Sequence, residues 1–282
     1  MFYLIDKPTG ISSHDVIYRM RRALGIKRTG HAGTLDPLAT GLMVVAVGKD
    51  TKLLEYIVGM DKVYTCTFRL GSTSTTYDKD GEIMIQNNNF DISTQRLTQV
   101  LQEFTGDIYQ VPPQYSAIKI QGRKAYDYAR EGQHVTIPPR LISIFSLELV
   151  EYSAPDVTIR VHCSSGTYIR TLAHDIGQRL ETGAYVTMLR RTAVGKATID
   201  QATEIDQVTK DTPSIPFTTL YPKAQLYQFT PEQYNNIKMG RAIACDKNYQ
   251  DPLVFGTIDN QIVTVLAYDG NESRLKPQKN LG

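Results

Sequence analysis

The stretch GHAGTLDPLATG, residues 30–41, decides how the rest of the chain is read. Gly30, Gly33 and Gly41 permit unusual backbone geometry, and Asp36 is locked against Pro37. By composition the stretch reads as one with almost nothing to pack a core. An Asp–Pro turn with glycines describes an ordinary tight loop. That account does not require His31, Thr34 and Leu35 around the carboxylate. A lone carboxylate on a proline-fixed turn, with basic residues just before it, suits covalent catalysis. Such a group must be positioned, partly desolvated and backed by a cation.

Upstream, FYLIDKPTG reads as a short buried strand ending at Pro8 and Gly10. The segment SSHDVIYRMRRALG predicts a helix. Ser12 and Asp15 form a capping-box pattern, Val16, Ile17, Met20 and Leu24 make one apolar stripe, and Gly25 is a natural stop. Downstream, LMVVAVG predicts a buried strand. VYTCTFRLG alternates, with Tyr64, Cys66, Phe68 and Leu70 on one face. STTYDKDG reads as a polar turn, and STQRLTQVLQEFTG as a helix with Leu97, Val100, Leu101 and Phe104 at helical spacing. VPPQYSAIKIQGRKAYDYAREG joins a short strand to a basic helix. VTIRVHC predicts a strand, and SSGTYIRTLAHDIGQRL a helix buried through Ile169, Leu172, Ala173, Ile176 and Leu180.

The 282 residues suggest one large domain and a small one. Three prolines between residues 211 and 222 mark the expected linker. The runs LVFGTI and QIVTVLAY beyond it predict a small β-rich module. Net charge is only +2, so distribution matters more than total. Arg19, Arg21, Arg22, Lys27 and Arg28 lie together without an acid among them. Lys119, Arg123, Lys124 and Arg130 interleave with Tyr115, Tyr126 and Tyr128. Both segments suit a nucleic-acid backbone and unstacked bases, although a solvated surface explains each alone.

Other chemistries find no support. Three scattered cysteines form no C-x-x-C, so neither a disulfide framework nor a zinc site is indicated, and a reducing cytoplasm is expected. None of the five histidines sits in H-E-x-x-H. There is no G-x-S-x-G elbow, and the glycines of GLMVVAVGKD are too widely spaced for a phosphate loop. The opening residues do not read as a signal peptide, and no apolar run is long enough to span a bilayer. In isolation Tyr64 reads as a core tyrosine and Arg170 as a surface arginine. An arginine at a helix start can nevertheless hold a carboxylate bidentately.

At this point the chain resembles a known family. KRTGHAGTLDPLATGLMVVAVGKDTK is similar to the signature of the bacterial tRNA pseudouridine-55 synthases. LIDKPTGISSHDV, VPPQYSAIKIQGRKAYDYAREG, CSSGTYIRTLAHDIG and GAYVTMLRRTAVG resemble further motifs of that family, in order. The resemblance implies an α+β catalytic domain over residues 1–210, with a mixed, largely antiparallel sheet flanked by helices. It implies an RNA-gripping insertion at about 109–140 and a PUA-like RNA-binding domain at 223–282. The implied reaction converts uridine in the tRNA T loop to pseudouridine. It breaks the C1′–N1 bond, turns the base over and rebuilds the link through C5, with no cofactor or metal.

By position, Asp36 matches the family's reacting aspartate, which either attacks the ribose or takes a C2′ proton. Tyr64 matches the stacking tyrosine that also removes the C5 proton, and Arg170 the arginine paired with the aspartate. Lys7 and Tyr168 match pocket positions, and His31 the histidine that fills space in the opened T loop. Arg28, Lys119 and Arg123 are the expected backbone contacts. A monomer acting on tRNA alone is expected, without guide RNA, protein partner or membrane. A guide-RNA-dependent catalytic subunit and a purely RNA-binding or RNA-folding protein are the competing readings.

Overall fold

The computed structural model describes residues 1–86 and 89–281. Its large sheet runs through eight strands. They are β1 (Phe2–Lys7), β2 (Thr40–Val47), β3 (Lys62–Leu70), β4 (Gly106–Gln110), β5 (Arg140–Ser153), β6 (Asp156–Cys163), β7 (Ala184–Val194) and β8 (Thr203–Glu204). Their order is β8-β1-β2-β7-β3-β6-β5-β4. Only β8 against β1 and β2 against β7 are parallel along this path. The sheet is therefore mixed and largely antiparallel, as expected.

Three helices cover one face. The first, α1 (Ser13–Leu24), is capped as its sequence predicts. The Ser12 hydroxyl accepts from the Asp15 amide, the Asp15 carboxylate accepts from the Ser12 amide, and Gly25 ends the helix at φ 70°. Val16, Ile17, Met20 and Leu24 are buried. Helix α2 (Thr94–Glu103) buries Leu97, Val100 and Leu101. Helix α3 (Ile169–Arg179) lies tight on β7 because Gly177 presents no side chain, and a methyl there would collide with Ala184. All three pack on the face that carries Tyr3, Ile5, Cys66 and Phe68.

The opposite face of β1 and β2, bearing Phe2, Leu4, Leu42 and Val44, packs against the C-terminal region. There a second sheet is built from β9 (Gln225–Gln228), β10 (Ile243–Ala244), β11 (Leu253–Ile258), β12 (Gln261–Asp269) and β13 (Arg274–Asn280). The order is β9-β11-β12-β13-β10, the curled β module the sequence predicts. The proline-rich segment between the sheets packs against both. The Phe217 ring sits 5.8 Å from Phe2, 5.4 Å from Tyr221 and 5.0 Å from Phe255. Burying such a ring stabilises by about 2 kcal/mol, so this seam is tightly packed.

Residues 140–153 and 184–194 received no secondary structure from the sequence, yet they form β5 and β7. The reason lies in the register. Strand β5 shifts between Ile144 and Ser146 and again between Leu149 and Glu151, and β7 shifts at Val186/Met188 and Arg191/Ala193. Each shift inverts the phase of in–out alternation, so no period of two persists along either strand. Among the described residues no helix is long and apolar enough to cross a membrane.

Gly41 is the tightest point of the sheet. It lies opposite Lys7 on β1 and opposite Arg191 on β7. Its φ is +104°, and a methyl would meet the Arg191 backbone carbonyl. Gly41→Ala should therefore destabilise by about 3 kcal/mol, because both strain and collision fall on backbone. Urea unfolding midpoints of the two proteins measure this, and an unchanged midpoint would refute the assignment.

Candidate active site

The loop carrying Asp36 is fastened along its length by residues 7–13. Ser13 Oγ donates to Leu35 O and accepts from Leu35 N–H, both at 2.8 Å. The Gly10 amide donates to Pro37 O at 2.8 Å, and Thr9 Oγ1 to Leu38 O at 3.1 Å. The Ala39 amide closes the turn on Asp36 O at 3.0 Å. The N-terminal motif thus works as a cradle for the carboxylate loop.

Two buried cations complete the cradle. Lys7 has no exposed surface, and its Nζ donates to Pro8 O, Pro37 O and Ala39 O at 2.9, 3.3 and 2.6 Å. Burial pushes its pKa down to about 8, with Asp36 opposing that shift. Arg191 is equally buried. Its Nε donates to Leu42 O at 2.7 Å and its Nη2 to Gly33 O at 3.2 Å. Lys7, Gly41, Arg191 and Tyr64 are register partners on four adjacent strands, so they form one row across the sheet. Opposed residues share a face, which sets Tyr64 beside Arg191. Burial raises the Tyr64 pKa, and the positive charge of Arg191 beside it opposes the rise.

Arg170, the second residue of α3, ties the site together. Its Nε lies 2.9 Å from Asp36 Oδ2. Its Nη1 donates to Thr76 O at 2.9 Å and lies 3.1 Å from Asp78 Oδ2. Its Nη2 donates to Tyr115 O at 3.0 Å. The pairing with Asp36 is therefore through one nitrogen rather than bidentate, because the rest of the fork is committed elsewhere. The Arg170 side chain is 6% exposed and Asp78 5%, whereas Asp36 keeps 37% of its surface open to a cleft. Enclosure by the surrounding chain raises the Asp36 pKa; Arg170 lowers it and the nearby Asp78 carboxylate adds to the rise.

That cleft has a volume of about 540 Å³. Asp36, Tyr64, Tyr168 and Arg170 all line it, so the structure brings these four predicted residues together. Val58, Ile169 and Leu189 supply apolar wall, and Tyr115 and Tyr126 reach it from the insertion. Gln110 holds Tyr168 at both backbone polar groups, accepting from its amide at 2.8 Å and donating to its carbonyl at 3.0 Å.

The remaining predicted residues lie elsewhere. Lys7 sits behind the Asp36 loop. His31, in the short strand Thr29–His31, is half-buried outside the cleft lining, with its pKa lowered by burial. Arg28 is exposed and its Nε donates to Thr51 Oγ1 at 2.7 Å. Lys119 and Arg123 occupy a small hairpin of the insertion. Arg123 pairs with Glu131, and its guanidinium lies 4.7 Å from the Tyr128 ring centroid.

Asp78, Arg191 and Lys62 also belong to this site, although their local sequence does not single them out. STTYDKDG looks like any polar turn, so the buried Asp78 has no local signal. Arg191 left one: two adjacent arginines inside a strand must face opposite sides, which forces one toward the interior. Lys62 lines the cleft, with its Nζ bonded to Val58 O and Met60 O, and burial lowers its pKa to about 8.

Comparisons with known proteins agree along the chain. Residues 21–169 match the model of the TruB family pseudouridylate synthase N-terminal domain. Residues 170–213 match the tRNA pseudouridylate synthase B C-terminal domain. A tRNA pseudouridine synthase B of Arthrobacter sp. (strain FB24) is 39% identical over 278 residues, 95% of this chain and 89% of that protein. One from Opitutus terrae is 44% identical over 205 residues, 73% of this chain and 85% of that protein. Among solved structures, a Cbf5-Nop10-Gar1 complex matches with TM-score 0.73 at 23% identity, covering 100% of this chain and 84% of that one. An H/ACA RNP bound to a substrate RNA matches with TM-score 0.71 at 22% identity and the same coverage. These last two likenesses are of fold.

The geometry around Lys7 predicts a pH signature. Its folded-state pKa is depressed, so this group costs stability while it is charged in both states, below pH 8. The cost fades as pH rises from 8 toward the ordinary lysine value of 10.5. Lys7→Met leaves three carbonyls without their donor and should lose about 2 kcal/mol at neutral pH. The deficit should widen above pH 8, since only the parent gains there. Denaturant titrations at pH 7 and 9.5 test both the size and the sign.

Proposed function

The chain belongs to the TruB family of pseudouridylate synthases, and from that membership we propose that it isomerises uridine 55 in the T loop of tRNA, with Asp36 as the reacting group. As a pseudouridine synthase it is an isomerase. The observation that carries the assignment of Asp36 is the Asp36–Arg170 pair at the floor of the cleft. Asp36 alone keeps a carboxylate face open, while the charges around it are buried and committed to neighbours.

Two routes are available to a carboxylate there: attack on C1′ of the ribose, or removal of the C2′ proton. Both need an ionised, partly desolvated group held in one orientation. Arg170 keeps the carboxylate charged against the cost of burial and fixes one oxygen, leaving the other to face substrate. A covalent route that expels uracil must also hold the free base. The Tyr64 ring, buried on one side, offers a stacking floor, and Val58, Ile169 and Leu189 exclude water that would intercept the intermediate. Arg191 beside the Tyr64 hydroxyl eases proton removal from C5, because it stabilises the phenolate.

The target nucleotide has to leave its stack to reach this floor, at a cost of a few kcal/mol. Tyr115 and Tyr126 at the rim offer faces for neighbouring bases, and Lys119, Lys124, Arg130 and Arg28 lie exposed for phosphates. The relatives that match over most of the chain are named for tRNA, which supports tRNA as the substrate; we propose that the chain acts on it without guide RNA or protein partners.

Purified protein should therefore release tritium from C5-labelled uridine in a bare T-stem-loop. Asp36→Asn should abolish release while tRNA binding persists, and residual turnover near the parent level would remove the assignment. Since the reactive form is the carboxylate and its pKa is raised, the single-turnover rate should fall with acid at a pH above the ordinary aspartate value of 3.8. Binding should weaken steeply with salt as counterions are released.

A further inference from the structure

We propose that Tyr77 and His174 are positioning residues for the reaction: their stacked rings hold the turn that anchors Arg170, and through it Asp36. The inference rests on Asp36 being the reacting group.

Two of the four partners of Arg170 come from the turn at residues 76–78, Thr76 O and the Asp78 carboxylate. Local hydrogen bonds close that turn on itself, with the Tyr77 amide donating to Ser74 O at 3.0 Å and the Asp80 amide to Asp78 Oδ1 at 3.1 Å, so its own bonds set its shape and contacts with other elements set its position. On one side it docks on β7, where the Val186 amide donates to Tyr77 O and the Lys79 amide to Val186 O, both at 2.9 Å. On the other side the Tyr77 ring lies 4.0 Å from the His174 ring, at an interplanar angle of 14°. His174 stands one turn after Arg170 on α3, and helical side chains lean toward the N-terminus, so both side chains reach the same turn. The helix thus grips it twice, by charge at Arg170 and by ring at His174.

Two details favour a ring contact over other roles for His174. Its Nδ1 is buried without a hydrogen-bond partner, so the imidazole is not placed there to donate or accept through that atom. Tyr77 holds φ +63°, a left-handed conformation unfavourable for an aromatic residue. Asn would adopt it more easily, and the tyrosine ring is what the strained backbone delivers to His174. Arg170 needs the turn in one place because Asp36 accepts a single bond from it. Small displacements of a reacting group cost catalysis far more than binding.

The test uses full-length protein and tRNA transcript, measuring single-turnover product formation and tRNA Kd separately. His174→Ala should slow the chemical step by about tenfold or more with Kd unchanged. His174→Phe, which keeps a flat ring, should restore most of the rate. Tyr77→Asn, which suits the backbone but removes the ring, should match His174→Ala, and the double variant should be no slower than either single one. A folded His174→Ala at the parent rate would overturn the proposal; so would a loss confined to Kd, or His174→Phe as slow as His174→Ala. Should His174→Ala not fold, Tyr77→Asn, at a half-buried position whose backbone suits Asn, carries the same comparison. Asp36→Asn is run alongside. If it is inactive while the ring variants are normal, only the present inference fails; if it is active, both fall.

Discussion

A single guanidinium holds this site in place. Arg170 has five N–H donors and makes four contacts, to Asp36, Thr76, Asp78 and Tyr115, which come from three loops remote in sequence. Its own helix fixes the fourth element. Two carboxyl groups share that one guanidinium. Asp78 is buried and hydrogen-bonded against the arginine, whereas Asp36 is open to the cleft, where the proposed reaction needs it. The division of labour follows from exposure, since the two acids are otherwise the same chemical group.

Behind the trio, two more cations do structural work of an unusual kind. Lys7 and Arg191 are buried and donate chiefly to backbone carbonyls rather than to carboxylates. Burying a charge without a counterion is costly, and carbonyl dipoles offset the cost only when several converge. Gly41, register partner of both cations, lets β2 and β7 approach closely where Arg191 is seated. The result is a stiff loop around Asp36 rather than added stability. Arg191 has a second consequence, since it is opposite Tyr64 and lowers the cost of charge on that phenol.

The same stacking logic recurs on the exposed insertion. Lys124 and Arg130 lie 5.2 and 5.1 Å from the Tyr126 ring centroid, and Arg123 4.7 Å from that of Tyr128. Basic residues and tyrosines that look like separate ligand contacts in sequence are packed on one another in the folded chain. They present paired cation and ring surfaces, which an unstacked base and its phosphate can engage together.

Local physics was legible in the residues themselves. The capping box of α1, the apolar stripes of three helices and the alternation of β3 depend only on neighbours within a turn or two, and the structure has them as read. The Asp–Pro turn in its glycine-rich loop likewise announced a positioned carboxylate. Tertiary structure alone decided what surrounds it. Asp78 became a buried partner because α3 folds over its turn; Arg191 faced inward because of bulges that reset the phase of β7. Lys7 was drawn beneath the loop by a register that spans four strands. Each of these depends on contacts between segments tens of residues apart, and pairing across a sheet leaves no periodic trace in either strand separately.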